Sequence, residues 1–551
     1  MDFLKKNLNS PFYLYVILGV FTLTVYVTGL MPETTVDSAK YAAVSREIYE
    51  SGDFIHLRIH GEPYISKPPL LFWFGALFFK IFGVSIFAFK LPNLIYSFLG
   101  IYSTYRLGQL IYDKRTGIIS ALLYLSSEAF FLFNMDVHTD MLLTTNIVFS
   151  VWQFAEYLDR QKTLNFILGF LGAGLAMMSK GIIGLAVPAI AVAGYLIMKR
   201  DFRTLFSPKW LAGLPILLLI LYPTFKGLWD QSGIDGLEFF FWSNVVDRIQ
   251  GDYSGGRHDY SFFFHTLAYI FLPWSLFAYF AFVRDFRAWR RNGFSIKNHK
   301  STYLYSVVII LGLIICVSSQ QAPHYLLPAM PFIAIIAGRF MTDVSLTDQY
   351  PKTYKWMLIL RNLIIILLWP MAIIMIAYFF PTRSLLIWIP VLIMFLLLVG
   401  SFLSLKAKIQ KLIIPLLITI LTLSFVINTN YMPSALKYHG PIQASYKYNS
   451  IAADNSALYT YGYEQYETYF YPVNRSLLVH NREELEAVLS EQSSWFITNE
   501  AGLNDIMAYN ETIITDQYIF PYKKLTNISF RFLNPKTREG ALTMIYLLKI
   551  R

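Results

Sequence analysis

A carboxylate, two lysines and a Pro-Pro turn stand close together after the first apolar run: Asp37-Ser-Ala-Lys40-Tyr41, then Glu50-Ser-Gly-Asp53, then Gly61-Glu-Pro-Tyr-Ile-Ser-Lys67-Pro-Pro-Leu70. A segment that only linked two membrane spans would have no use for this set. It reads as one wall of a site that handles a charged group at a membrane surface. Further polar clusters recur downstream: Asp136, His138 and Asp140; Lys180 before Gly181; Asp247, Arg248, Arg257, His258 and Asp259; and Gln320, Gln321, His324 and Tyr325. Charged groups at a membrane edge are costly and are functional candidates by default. Each also has a plain alternative. Asp37 and Asp140 would serve as helix caps, and Lys67 as a snorkelling anchor. Arg248 and Arg257 would touch lipid headgroups, and His258 would simply be solvated. No Gly-rich phosphate loop or Walker motif is present, so a cytosolic nucleotide-sugar or ATP site is not expected. His258, His265 and His324 lack a metal-ligand spacing.

The elements that must position these groups are membrane spans. The 551 residues are 55% hydrophobic and only 15% charged, against about 25% charged in soluble proteins. Mean hydropathy is +0.46. Apolar runs of spanning length fall near 11–30, 87–108, 116–134, 141–158, 164–179, 181–198, 210–227, 262–283, 302–319, 324–341, 357–379, 384–404 and 412–429, thirteen in all. The run 69–83 is shorter and reads as an interfacial helix. The first run lacks a small-residue cleavage site and is read as a retained span.

The net charge of +11 is not a nucleic-acid footprint. Its lysines and arginines sit in short loops after alternate spans: Lys114 and Arg115, Arg160 and Lys162, Lys199 to Arg203, Arg284 to Lys300, Arg339 to Lys355, and Lys406 to Lys411. With thirteen spans these loops all fall on one side, which is the cytoplasmic one. Loops 31–86 and 228–261 and the tail 431–551 then face outward. Cys316 is the single cysteine, so no intrachain disulfide is available. The tail alternates short apolar runs (Leu458 to Tyr461, Ser476 to Val479, Trp495 to Thr498, Ile545 to Leu548) with a helix-like run from Arg482. It reads as a small α/β domain following a polytopic α-helical region, 1–430.

The first-loop residues quoted above, from Asp37 to Tyr41 and from Lys67 through Pro68, Pro69 and Leu70 to Trp73, resemble the bacterial aminoarabinose transferases of lipid A. These belong to the protein O-mannosyltransferase-like, C-type glycosyltransferases. The likeness continues through Thr139-Asp140, Met178-Ser-Lys180-Gly181 with Pro188, Pro273-Trp274, and Pro323-His-Tyr-Leu-Leu-Pro328 with Pro331. It implies an inner-membrane, inverting transferase that takes a sugar from an undecaprenyl-phosphate donor at the periplasmic face. The implied acceptor is lipid A or a related glycolipid. Asp37 and Asp140 look like the family's two catalytic aspartates, and Lys67 like the lysine on the lipid phosphate. Tyr325 and a second-loop arginine, Arg248 or Arg257, resemble further phosphate contacts. His258, His324 and Lys180 are candidate substrate contacts. Two positions depart from the family. Ser38 stands where Asp is usually followed by Glu, and Ser66 where Glu often precedes Lys-Pro-Pro. In some members that Glu and a second-loop His bind a divalent metal. His258 is the candidate for the matching His, but with Ser66 in place of the Glu no metal is assigned; a divalent metal stays the alternative, and no other cofactor is predicted.

Two other functions fit a chain of this kind. A protein O-glycosyltransferase would use the same donor on Ser or Thr. A lipid-linked glycan transporter would favour broken midplane helices and internal repeats, and no repeat is visible here.

Overall fold

A computed structural model describes residues 11–243, 259–293, 298–347, 349–452, 456–463, 465–491, 494–509 and 513–551. Apolar runs uninterrupted by charge fold into long helices, because in lipid the backbone must satisfy its own hydrogen bonds. A helix or helix pair occupies each of the thirteen stretches read as spans. Among the described residues, seven helices are long and apolar enough to cross a membrane, or eight if one bent pair counts as a single span. Leu70–Phe82 has 13 residues, about 20 Å at helical rise, and so falls short of a ~30 Å hydrocarbon core.

Three stretches differ from the sequence reading. The run 116–134 is two helices, Lys114–Leu125 and Glu128–Met135, bent by 47°. Ser127 causes the restart, since its hydroxyl accepts from the Phe130 amide and caps the second piece. The run 262–283 is likewise divided into Phe262–Ile270 and Ser275–Arg291. The outer loop expected from residue 228 starts later. Helical structure spans Leu214–Glu238, kinked at Gly233 (φ +58°), and continues in one wider turn, Phe239–Ser243.

Helix Thr139–Arg160 lies at the centre of the front half, buried along most of its length. Small residues let its neighbours approach. A Cβ at Gly100 on Ile86–Ile111 would sit 2.8 Å from Thr145 Oγ1, and one at Gly172 on Thr163–Lys180 would sit 2.9 Å from Phe149. The first loop docks on Leu214–Glu238 in the same way, a Cβ at Gly227 meeting the Ile55 carbonyl at 2.3 Å. Asp53, His56 and Asp230 extend that contact: His56 Nδ1 is 2.8 Å from Asp53 and its Nε2 is 3.1 Å from Asp230.

The tail carries a five-stranded sheet. Its order is Leu477–Val479, Leu458–Tyr461, Ser494–Asn499, Thr543–Ile550, Ile514–Tyr522, the first two pairings parallel and the last two antiparallel. Strands form at all four predicted runs, and Arg482–Glu491 is the predicted helix. The strand Ile514–Tyr522 was not expected. It lies at the sheet edge, half-exposed, so its composition carries no continuous apolar signal.

Candidate active site

Asp37 stands in the first turn of helix Val36–Ser51, but it does not cap it. The capping position is Thr35. The carboxylate is instead 2.7 Å from Lys40 Nζ, one turn along. Burial pushes the Asp37 carboxyl up. The charge and hydrogen bond of Lys40, with His138 and His324 nearby, overcome this and hold it below the usual carboxylate range.

The end of this helix is shaped from the tail. Val36 has φ +51°, a conformation rare for a β-branched residue. Its amide donates to Glu467 Oε1 at 2.7 Å, and the Glu467 side chain is fully buried. The Thr34 amide donates to the Tyr471 hydroxyl at 2.7 Å, and that hydroxyl donates back to the Thr34 carbonyl at 2.8 Å. Lys40 lies 4.7 Å from the Tyr466 ring centroid. Further along, Arg46 donates to the carbonyls of Phe470 and Pro472, and Arg475 pairs with Glu47 and Glu50.

Asp140 opens helix Thr139–Arg160, where the macrodipole favours an anion, and Lys180 closes Thr163–Lys180, where it favours a cation. The two meet at 2.5 Å, with side chains 3% and 11% exposed. The capping position is His138, so Asp140 is an ion-pair partner and not a cap. Lys180 also lies 4.7 Å from the centre of the Tyr325 ring. Tyr325 packs edge-on to His324 at 4.6 Å, and His324 stacks on His138 at 5.3 Å. His138 meets the edge of Tyr41, one turn beyond Asp37, at 5.9 Å. Asp37, Lys40, His138, Asp140, Lys180, His324 and Tyr325 therefore form one contiguous cluster drawn from four separate segments.

Lys67 sits apart from this chain of contacts. It is buried, 9% exposed, and so is not a snorkelling anchor. It lines a narrow cleft of about 20 Å³ with Tyr64, Pro68, Pro69, Thr224 and Gln231. Tyr64 of the cleft and Tyr41 beside the cluster both pack on Phe72, at 5.7 and 5.8 Å. Arg248, Arg257 and His258 fall outside the described residues. The loop's exit is fixed beside His324: the Asp259 amide donates to Gln321 Oε1 at 3.3 Å, and Gln321 Nε2 donates to the Asp259 carbonyl at 3.0 Å. Among the described residues no group of three or more His, Cys, Asp or Glu side chains is placed to hold a metal ion.

The tail's share of the site was not readable from sequence. Glu467, Tyr466 and Tyr471 act more than 420 residues away from Asp37 in the chain, and no motif marks them.

A family model described as dolichyl-phosphate-mannose-protein mannosyltransferase matches residues 66–225. An uncharacterized protein of Aquifex aeolicus is 26% identical over 65% of this chain and 67% of its own length. The undecaprenyl phosphate-alpha-4-amino-4-deoxy-L-arabinose arabinosyl transferase of Yersinia enterocolitica is 26% identical over 56% of this chain. The chain spans about half the length of that relative, 55%. The fold likeness reaches from end to end. The crystal structure of ArnT from Cupriavidus metallidurans bound to undecaprenyl phosphate superposes with a TM-score of 0.76 at 14% identity, covering 98% of both chains. The oligosaccharyltransferase of Archaeoglobus fulgidus gives 0.51 at 12% identity, over 88% of this chain and 69% of its own. The carboxylates and lysines of the cluster stand on the motifs that carry the resemblance to the C-type glycosyltransferases, and the matching family model and the curated relatives are similar to this chain over part of its length.

Proposed function

We propose that this protein transfers a sugar from an undecaprenyl-phosphate-linked donor to lipid A or a related envelope glycolipid, with inversion, at the outer face of the bacterial inner membrane. The observation that carries this reading is the convergence of Asp37–Lys40 and Asp140–Lys180 around His138, His324 and Tyr325. The relatives named for undecaprenyl-phosphate-dependent arabinosyl transfer support the donor class.

A lipid phosphate leaves as a stable anion, so bond cleavage needs a cationic clamp more than a general acid. Lys67, in its cleft beside Pro68-Pro69, supplies one cation, and Arg248 or Arg257 the second. The acceptor attacks the anomeric carbon from the opposite face in a single displacement. Asp37 and Asp140, both ionised, stabilise the oxocarbenium charge that develops there and orient the sugar. A protein Ser or Thr is the second acceptor reading, supported by the description of the matching family model.

The same proposal sets the topology. The thirteen spans leave every strongly basic loop in the cytoplasm, and the cluster and the tail outside. Reporter fusions after Tyr431 and after Arg291 are expected to give opposite signals, alkaline phosphatase active only at the first. One reporter active at both would place the cluster's segments on different sides of the bilayer and end the single-site reading. The chemistry is tested by incubating the purified protein with candidate polyprenyl-phosphate sugars. Mass spectrometry of both lipid A and envelope proteins then shows which gains the sugar.

A further inference from the structure

Both aspartates of the cluster are already engaged by ammonium groups. Asp37 Oδ1 lies 2.7 Å from Lys40 Nζ, and Asp140 Oδ1 lies 2.5 Å from Lys180 Nζ. An ammonium partner favours the ionised carboxylate and weakens it as a base. For an acceptor that must lose a proton, the cluster needs another group to receive it.

The imidazole of His138 has that setting. Its Nε2 is 3.2 Å from Asp136 Oδ2. Nε2–H donates to the carboxylate, which fixes the ring and leaves Nδ1 as the accepting nitrogen. The ring is 12% exposed. It is bounded by Tyr41 at 5.9 Å, Phe133 at 5.8 Å and His324 at 5.3 Å, and so lies between the Asp37 helix and the turn before Pro328. The charged and titratable groups facing it are Asp136 and Asp140 from its own segment, Asp37 with Lys40 from the first loop, Lys180 beyond Asp140, and His324. Burial pushes the imidazole down. Asp136, Asp140 and Asp37 outweigh burial and hold it above the ordinary histidine value, so the neutral ring is the stronger proton acceptor.

We propose that the Asp136–His138 pair is the proton acceptor of the transfer reaction. As the acceptor oxygen forms its bond to the anomeric carbon, the bond from that carbon to the lipid phosphate oxygen breaks, and the phosphate leaves with the electron pair. The acceptor proton passes to Nδ1 of His138, and Asp136 stabilises the imidazolium. Water removes the proton after the product leaves. The acceptor this implies carries a proton to lose: a sugar hydroxyl or a singly ionised phosphate monoester. The proposal rests on the glycosyl-transfer reading above.

The test uses the full chain in nanodiscs, with an undecaprenyl-phosphate sugar as donor and lipid A as acceptor. His138→Gln is expected to lower kcat at pH 7 by at least about 100-fold while donor KM stays within about threefold. Wild-type kcat should fall as pH drops and His138 becomes protonated. His138→Gln should lose that acid limb, and Asp136→Asn should keep it but shift it to lower pH. In parallel, NMR of labelled histidine should show the His138 ring titrating at lower pH in Asp136→Asn than in the wild type. That readout does not need turnover. Near-wild-type kcat in His138→Gln, an acid limb unmoved by Asp136→Asn, or an unshifted ring titration overturns the proposal. A wild type that transfers no sugar brings it down together with the functional reading, and the ring titration then tells the two failures apart.

Discussion

The two aspartates of the cluster open two helices, yet their settings are opposite. Asp37 is paired within its own helix, three residues along, with its side chain 40% exposed. Asp140 is paired across two helices, at the meeting of one N-terminus and one C-terminus, and is 3% exposed. The Asp37–Lys40 pair is only part-buried, so it can part to admit a substrate at less cost than a buried pair, because pairs open to solvent are worth ~0–1 kcal/mol. A buried pair cannot part so easily, because an unpaired buried charge is penalised by several kcal/mol. The first pair is therefore the adjustable face of the site, and the second its fixed post. The tail reinforces the division by holding the adjustable helix from outside, through Glu467, Tyr471 and Arg475.

This contrast is open to breakage at four places. Asp140→Asn is expected to have the largest effect. It leaves Lys180 buried without its carboxylate, so stability should fall by about 3–5 kcal/mol and transfer should vanish. Thermal unfolding in detergent, read beside activity, checks both. Asp37→Asn should remove transfer about as completely, by at least about 100-fold, while moving stability by no more than about 1 kcal/mol. Equal destabilisation by the two variants would erase the distinction drawn here.

Lys67→Ala should weaken binding of polyprenyl phosphate by about 1.5–3 kcal/mol, the worth of a charge-assisted contact. A titration with the lipid phosphate measures it, and an unchanged Kd would make Lys67 a packing residue of its cleft. The smallest effect is expected at Glu467. Glu467→Gln keeps an acceptor for the Val36 amide and should stay near wild type. Glu467→Ala loses it at a cost of about 1 kcal/mol, and kcat should fall more than donor affinity. Matching kcat in the two variants would mean that the tail does not set the Asp37 helix.

Much of the helical region was legible because its signals are local. Long apolar runs between basic loops mark helices wherever they lie, and Asp37, Lys67, Asp140 and Lys180 sit on short motifs. The breaks at Ser127 and between Phe262–Ile270 and Ser275–Arg291 were not legible, because a single capping hydroxyl or a short turn does not interrupt hydropathy. The helical reach of 228–243 was also missed, since its polar residues resemble a loop. Pairings such as Asp140–Lys180 and Val36–Glu467 depend on chain crossings that periodicity does not encode. The cap reading of Asp37 failed for a related reason: the helix begins at Val36, and the group that satisfies its first amide arrives from the tail.

The central claim is transfer of a sugar from a lipid phosphate by this carboxylate and lysine cluster. Its most direct test is a single-turnover reaction of purified wild type and Asp37→Asn with an undecaprenyl-phosphate sugar and lipid A, followed by mass spectrometry. The account predicts glycosylated lipid A with release of undecaprenyl phosphate from the wild type, and intact donor in the variant. Intact donor with the wild type, or equal product from both proteins, would contradict it.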